Sequence, residues 1–170
     1  MWKHFFRARS QCASTVTGDD STLLIISGYN PDEEDETLSS IEAMTTDGPK
    51  REFAYPTLSR LAAAVTLARG AVVVTGGRGS ETEVWMNSSN NFKEWERRND
   101  MTEGRKGHAA AVINLGRSEL VVVAGGWNYL GQELTSVNVY NPEEDKWSRM
   151  PNMPSPRVDF NLQVNSKSYL

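Results

Sequence analysis

The chain has 170 residues, a hydrophobic content of 38%, a formal net charge of −4 and one cysteine, Cys12. That length suffices to bury a core. The acidic balance offers no basic face for nucleic-acid phosphates, a lone cysteine excludes an intramolecular disulfide, and no apolar run approaches the ~20 residues of a membrane helix.

The amino terminus, Met1 to Arg7, is too short in its apolar part for a signal peptide. With the single cysteine, this places the expected compartment in the cytoplasm. Residues 2 to 9 resemble the end of a repeating unit, with Trp2 seven residues before Arg9. Short apolar segments then alternate with Gly, Pro and polar punctuation, the signature of successive strands. Naming four strands A to D in each unit, the first has A at Gln11 to Thr17, B at Leu23 to Ser27, C at Leu38 to Met44 and D near Lys50 to Ala54. An acidic loop, Asp32 to Glu36, separates B from C and lacks the Gly and terminal Glu of a calcium loop. The second unit has A at Leu61 to Leu67, a turn at Arg69-Gly70, B at Ala71 to Thr75, C at Thr82 to Met86 and D at Glu94 to Arg97. Asn87-Ser88-Ser89 matches a glycosylation sequon and is read as a chance match, since no secretory signal accompanies it. The third unit has A at His108 to Leu115, B at Leu120 to Ala124, C at Ser136 to Asn141 and D near Lys146 to Arg149. A fourth begins with Asp159 to Val164, a turn at Asn165-Ser166, and Ser168 to Leu170.

The units share landmarks. Gly76-Gly77 and Gly125-Gly126 follow strand B, with Gly28-Tyr29 standing in their place upstream. Trp95 and Trp147 mark strand D, with Phe53 in that position in the first unit, and Arg60, Arg105 and Arg157 close each unit. Gly28, Gly76 and Gly125 are 48 and 49 residues apart. A period near ~50 residues with several strands per period is that of a propeller blade. With the double glycines, Tyr140, the two tryptophans and the closing arginines, the chain resembles the kelch repeat family, as in the kelch domain of BTB-kelch proteins. The resemblance covers nearly the whole length and implies an all-β, kelch-type β-propeller. Its repeats run roughly over 10–60, 61–105 and 106–157, with a partial fourth at 158–170, and together span 1–170. Propellers hold about 4 to 8 blades, so three four-stranded antiparallel blades plus partial ones at both ends imply an incomplete propeller, part of a larger one.

The glycines are expected to permit positive φ and close backbone packing where strand B exits. Gly76-Gly77-Arg78-Gly79 lacks the Lys-Ser/Thr ending of a phosphate loop. Trp95 and Trp147 have the bulk to fill the space between blades. Arg105 and Arg157, recurring once per unit, are expected to reach backbone of a neighbouring blade. His4 and His108, the only histidines, and distant Cys12 make no metal-ligand spacing. His108 reads as a core or rim residue, and Cys12 as a buried, inert thiol in strand A.

In the kelch family, B–C loops and D–A linkers line the partner-binding face. The candidate contacts here are Tyr29, Asn30, Arg78, Trp127, Asn128 and Tyr129, since aromatic and Arg side chains anchor interfaces. The resemblance therefore implies a non-catalytic module binding a protein or peptide, without cofactor or metal and without nucleic-acid or membrane partners. Related proteins include substrate receptors of cullin ubiquitin ligases, which carry separate BTB and BACK domains. Two alternatives stand beside this: a truncated sugar-active enzyme, galactose oxidase-like or mutarotase-like, and a non-functional fragment. The former would need copper ligands of His and Tyr, or paired acid/base groups, and the loops supply neither convincingly.

Overall fold

The computed structural model describes residues 10–17, 22–30, 40–45, 51–54, 64–68, 70–79, 81–88 and 92–164, with 51–54 and 64–67 as backbone alone. Arg60, the acidic run 32–36, Trp2 with Arg9, and the fourth unit beyond residue 164 lie outside these residues.

Twelve strands form three four-stranded antiparallel sheets, each in sequence order. The first holds β1 (Ala13–Val16), β2 (Thr22–Ile26), β3 (Ser40–Thr45) and β4 (Arg51–Ala54). The second holds β5 (Ala64–Ala68), β6 (Ala71–Thr75), β7 (Val84–Asn87) and β8 (Glu96–Arg98). The third holds β9 (Ala109–Leu115), β10 (Ser118–Ala124), β11 (Val137–Asn141) and β12 (Lys146–Met150). No helix occurs among the described residues. The architecture is that of a partial kelch β-propeller whose sheets do not close into a ring. The innermost strands β1, β5 and β9 neighbour one another from sheet to sheet. Their small Ala side chains suit the crowding near an axis.

The sandwiching explains why strand B is apolar throughout. Successive side chains on a strand point to opposite faces. On β6, Val72 and Val74 face the first sheet, joining Leu24, Ile26, Ile41, Ala43 and Phe92. Val73, between them, faces the third sheet and packs with Val121, Val123 and Tyr140. Trp95 packs on the first cluster and Trp147 on the second, so each tryptophan sits where two sheets meet.

Three expectations change. The pair matching the double glycines in the first sheet is Ser27-Gly28, not Gly28-Tyr29. Ser27 and Gly28 have φ of 61° and 117°, against 58° and 101° at Gly76-Gly77 and 62° and 90° at Gly125-Gly126. The bonds agree: Ser27 N donates to Ser40 O, as Gly76 N does to Glu83 O and Gly125 N to Ser136 O. Gly28 thus corresponds to Gly77 and Gly126, at an even spacing. A serine in a left-handed backbone carried no signal in the sequence. Second, Asp159 to Val164 form no strand; a strand needs a ladder partner, and these residues find none among the described ones. Instead, Asp159 N donates to Gly107 O, and the Phe160 ring lies beside Gly125. Third, Cys12 is exposed and precedes β1. It lies just outside the sheet, one residue before β1.

Candidate functional site

Strand direction places the B–C loops and D–A linkers at one end of the sheets. In the second sheet the B–C loop is 76–83, and the linker to the third sheet is 99–108. In the third sheet the B–C loop is 125–136. These three segments are tied to one another. Gly77 N donates to Arg105 O at 3.0 Å, Arg105 N to Glu81 O at 2.9 Å, and Met101 N to Thr82 O at 2.8 Å. The linker then crosses to the third sheet: Lys106 and Trp127 exchange two backbone bonds of 3.0 and 2.8 Å.

Arg105 is the side chain that fastens this crossing. It is fully buried; Nη1 donates to Gly125 O at 2.9 Å and Ser136 O at 3.3 Å, and Nη2 to Ser136 Oγ at 3.1 Å and Glu103 Oε2 at 3.2 Å. Ser136 Oγ also donates to Glu103 Oε2. Burial lowers the Arg105 pKa, and the Glu103 carboxylate opposes that shift. His108 lies beneath, buried, with Nε2 2.8 Å from Thr75 Oγ1. Burial first, and the Arg105 charge second, push its pKa down to about 3, so the ring is neutral.

A second clamp joins the sheets near their outer strands. Arg98 Nε donates to Tyr140 Oη at 3.0 Å, and Nη2 to Pro142 O at 2.9 Å. Tyr140 Oη donates to Asp145 Oδ1 at 2.6 Å, which also accepts from Asn99 N at 2.9 Å. Trp147 Nε1 donates to Asn99 O at 2.9 Å. Burial alone would raise the Asp145 carboxyl, but the bonds from Tyr140 and Asn99 and the Arg98 charge hold it below its ordinary value. Burial, with the bond to Asp145, raises the Tyr140 phenol well above its usual range.

Between the clamped sheets the loop end opens into a groove of about 540 Å³, lined by Gly79, Glu81, Thr82, Glu83, Arg97, Thr102, Glu103, Gly104, Asn128 and Tyr129. One wall is the second B–C loop, the floor is the linker, and the far wall is the third B–C loop. That far wall is held rigidly. Asn128 Oδ1 accepts from Leu130 N at 3.0 Å and Gln132 N at 2.9 Å, and Asn128 Nδ2 donates to Gln132 Oε1 at 2.9 Å. The turn so closed raises Tyr129 and Leu130, 77% and 64% exposed, above the surface.

Of the residues singled out in the sequence, Asn128 and Tyr129 line this groove. Arg78 is exposed on the neighbouring loop. Trp127 is half-buried and packs against Gly107, where an added Cβ would lie 2.8 Å from the ring. Tyr29 and Asn30 lie apart, on the first sheet: Tyr29 pairs with Ser10 through two 2.9 Å backbone bonds, and Asn30 is buried. Arg157 points its side chain outward, while its carbonyl accepts from Gly126 N at 2.8 Å, as the Arg105 carbonyl does from Gly77. Sequence reasoning passed over Glu81, Glu83, Arg97 and Glu103. Their alternation around the second B–C loop and linker was a visible signal, since both segments belong to the same end of the sheets. The sequon residue Asn87 is buried, its Nδ2 donating to Glu94 O at 2.6 Å, which leaves no room for a glycan.

The Kelch motif matches residues 104–154, which span the second half of the linker and the whole third sheet. Alpha-scruin of Limulus polyphemus is 29% identical over 115 residues, 62% of this chain and 12% of that protein. Beta-scruin of the same organism is 34% identical over 64 residues, 38% of this chain and 7% of that protein. The chain thus spans a small part of the length of the curated relatives it matches. Residues 104–154, with the glycine pair Gly125-Gly126, the Tyr140–Trp147 contact and the linker arginine Arg105, thus form a kelch repeat, and the chain is similar to kelch-repeat proteins.

Proposed function

We propose that the chain is a non-catalytic protein-interaction module that binds a partner protein or peptide at its loop end. The observation carrying this is the groove between the second and third sheets, bordered by Tyr129 and Leu130 on a hydrogen-bonded turn. Exposed aromatic and aliphatic side chains held in one conformation lose little entropy on binding, which is what an anchor at an interface requires. Arg78 and Trp127 flank the same end and belong to the proposed face, whereas Tyr29 and Asn30 would extend it over the first sheet. His108 is no candidate for chemistry at this face: its ring is buried against Thr75 and neutral. The single exposed thiol, Cys12, suits a reducing compartment, and we place the module in the cytoplasm. As in the BTB-kelch proteins it resembles, the face would serve as the substrate-binding part of a larger cullin ubiquitin-ligase adaptor. The repeat boundaries near residues 60, 105 and 157 belong to the same proposal.

The test is a paired affinity capture. Tyr129→Ser/Leu130→Ser is compared with Leu115→Ser, which alters an exposed residue at the opposite end of the third sheet. The proposal expects a partner retained by the chain and by Leu115→Ser but lost from the loop variant, with equal melting temperatures for all three. Equal retention by both variants would place binding elsewhere.

A further inference from the structure

The groove has a charge pattern that narrows the partner's chemistry. Glu81, Glu83 and Glu103 line it against a single lining guanidinium, Arg97. That guanidinium is already shared, with Nη2 3.0 Å from Asp100 Oδ1 and Nη1 3.7 Å from Glu83 Oε1. Glu103 is held by buried Arg105. Glu81 has no cation partner among the described residues; its Oε1 accepts from Gly79 N at 3.3 Å. Among the described residues that line the groove or pair with its lining, the carboxylates Glu81, Glu83, Glu103 and Asp100 outnumber the guanidiniums Arg97 and Arg105, so the lining is negative, with Arg78 outside it. Tyr129 lines the same groove as Glu81, and with its neighbour Leu130 it forms the most exposed large apolar pair among the described residues.

Resting on the reading of the loop end as a protein-binding face, we propose that the groove selects an extended segment of a partner protein carrying a Lys or Arg beside an aliphatic or aromatic residue. The cation enters between Glu81, Glu83 and Glu103, and the apolar neighbour lies on Tyr129 and Leu130. Negative lining excludes phosphate-bearing occupants, nucleic acid and anionic lipid headgroups alike, because each would set like charges side by side. A long Lys or Arg stem fits the juxtaposition well: its methylenes cover the tyrosine ring while its head reaches the carboxylates. Metal capture is a poor alternative, as no group of three His, Cys, Asp or Glu with metal-holding geometry occurs among the described residues.

A random heptapeptide library displayed on phage, panned on the 170-residue chain and counter-selected on Tyr129→Ser/Leu130→Ser, tests this directly. The expected result is enrichment of clones with Lys or Arg adjacent to Leu, Ile, Phe or Tyr. The most enriched heptapeptide, made synthetically, should then bind Glu81→Gln about threefold more weakly than the parent chain, as one exposed ion pair is worth. Its affinity should also fall as salt rises. Enrichment of acidic or uncharged clones that still require Tyr129 would overturn the charge selection and leave the loop-end reading standing. Clones indifferent to the Tyr129/Leu130 substitution, or none at all, would overturn both. An unchanged affinity for Glu81→Gln would overturn the placement of the cation.

Discussion

Arg105 shows how one side chain does the work of a joint. It lies with its guanidinium fully enclosed, yet three protein oxygens of the next sheet and Glu103 accept its protons. A buried cation without such acceptors would cost far more than it contributes. Replacing it by methionine of similar length keeps the apolar stem but removes every bond the guanidinium donates to Gly125 O, Ser136 and Glu103. Urea unfolding should show a loss of about 3 kcal/mol, and Arg105→Lys should recover only part, because one ammonium nitrogen cannot stand in both for Nη1 on the two carbonyls and for Nη2 on Ser136 Oγ and Glu103. The same crossing makes stability depend on acid. His108 has a folded pKa of about 3, below its unfolded value of about 6.5. The unfolded chain therefore binds the proton first as pH falls, and stability declines from about pH 6.5 toward about 3. His108→Gln should flatten the part of that decline due to this residue, read from denaturant midpoints across the window. A steeper decline in the variant would contradict the assignment.

Gly76 and Gly125 set the scale of the element. Each sits at positive φ, and a Cβ on either would overlap a linker carbonyl oxygen, of Arg105 and of Arg157 respectively. At Gly76 the His108 ring would also lie 2.8 Å away. Gly76→Ala should destabilise by roughly 1–3 kcal/mol through strained backbone alone, with the linker displaced in addition. The outer clamp is a separate joint between the same sheets. Tyr140→Phe removes the hydroxyl that donates to Asp145 and accepts from Arg98. A loss of about 1–2 kcal/mol at neutral pH is expected. Because Asp145 is held below its ordinary value, its contribution is present above the usual aspartate pKa and disappears as pH falls toward the lowered folded value. The variant should show less of that acid loss. Most strands were legible in the sequence: Ala71 to Thr75 was bounded to the residue, and others shifted by a few positions, because an apolar run between glycines states a sandwiched strand directly. The Ser27-Gly28 pair was misaligned by one residue, since serine is a poor indicator of positive φ.

At the scale of the whole molecule, the three sheets share one plan: four antiparallel strands each, with the first strands neighbouring one another from sheet to sheet, and clamps at two radii fix the second sheet to the third. Repeat arrays of this kind draw their stability from such interfaces. The period and the double glycines made that plan readable. The candidate face was readable only in part. Asn128 and Tyr129 announced themselves as loop residues after the glycines, but Glu81, Glu83 and Glu103 take part because the linker folds back against the B–C loop, a contact between segments that no local pattern encodes. Tyr29 and Asn30 hold equivalent places in the first sheet, where the Tyr29 backbone pairs with Ser10 as the Trp127 backbone pairs with Lys106.

The claim that the loop end is the binding face is tested most directly by site-specific photo-crosslinking. A benzophenone side chain would be placed at position 129 in one chain and at position 115 in another. The account predicts a discrete protein adduct from position 129, reduced by Glu81→Gln, and none from position 115. Adducts of equal yield from both positions, or from position 115 alone, would contradict it.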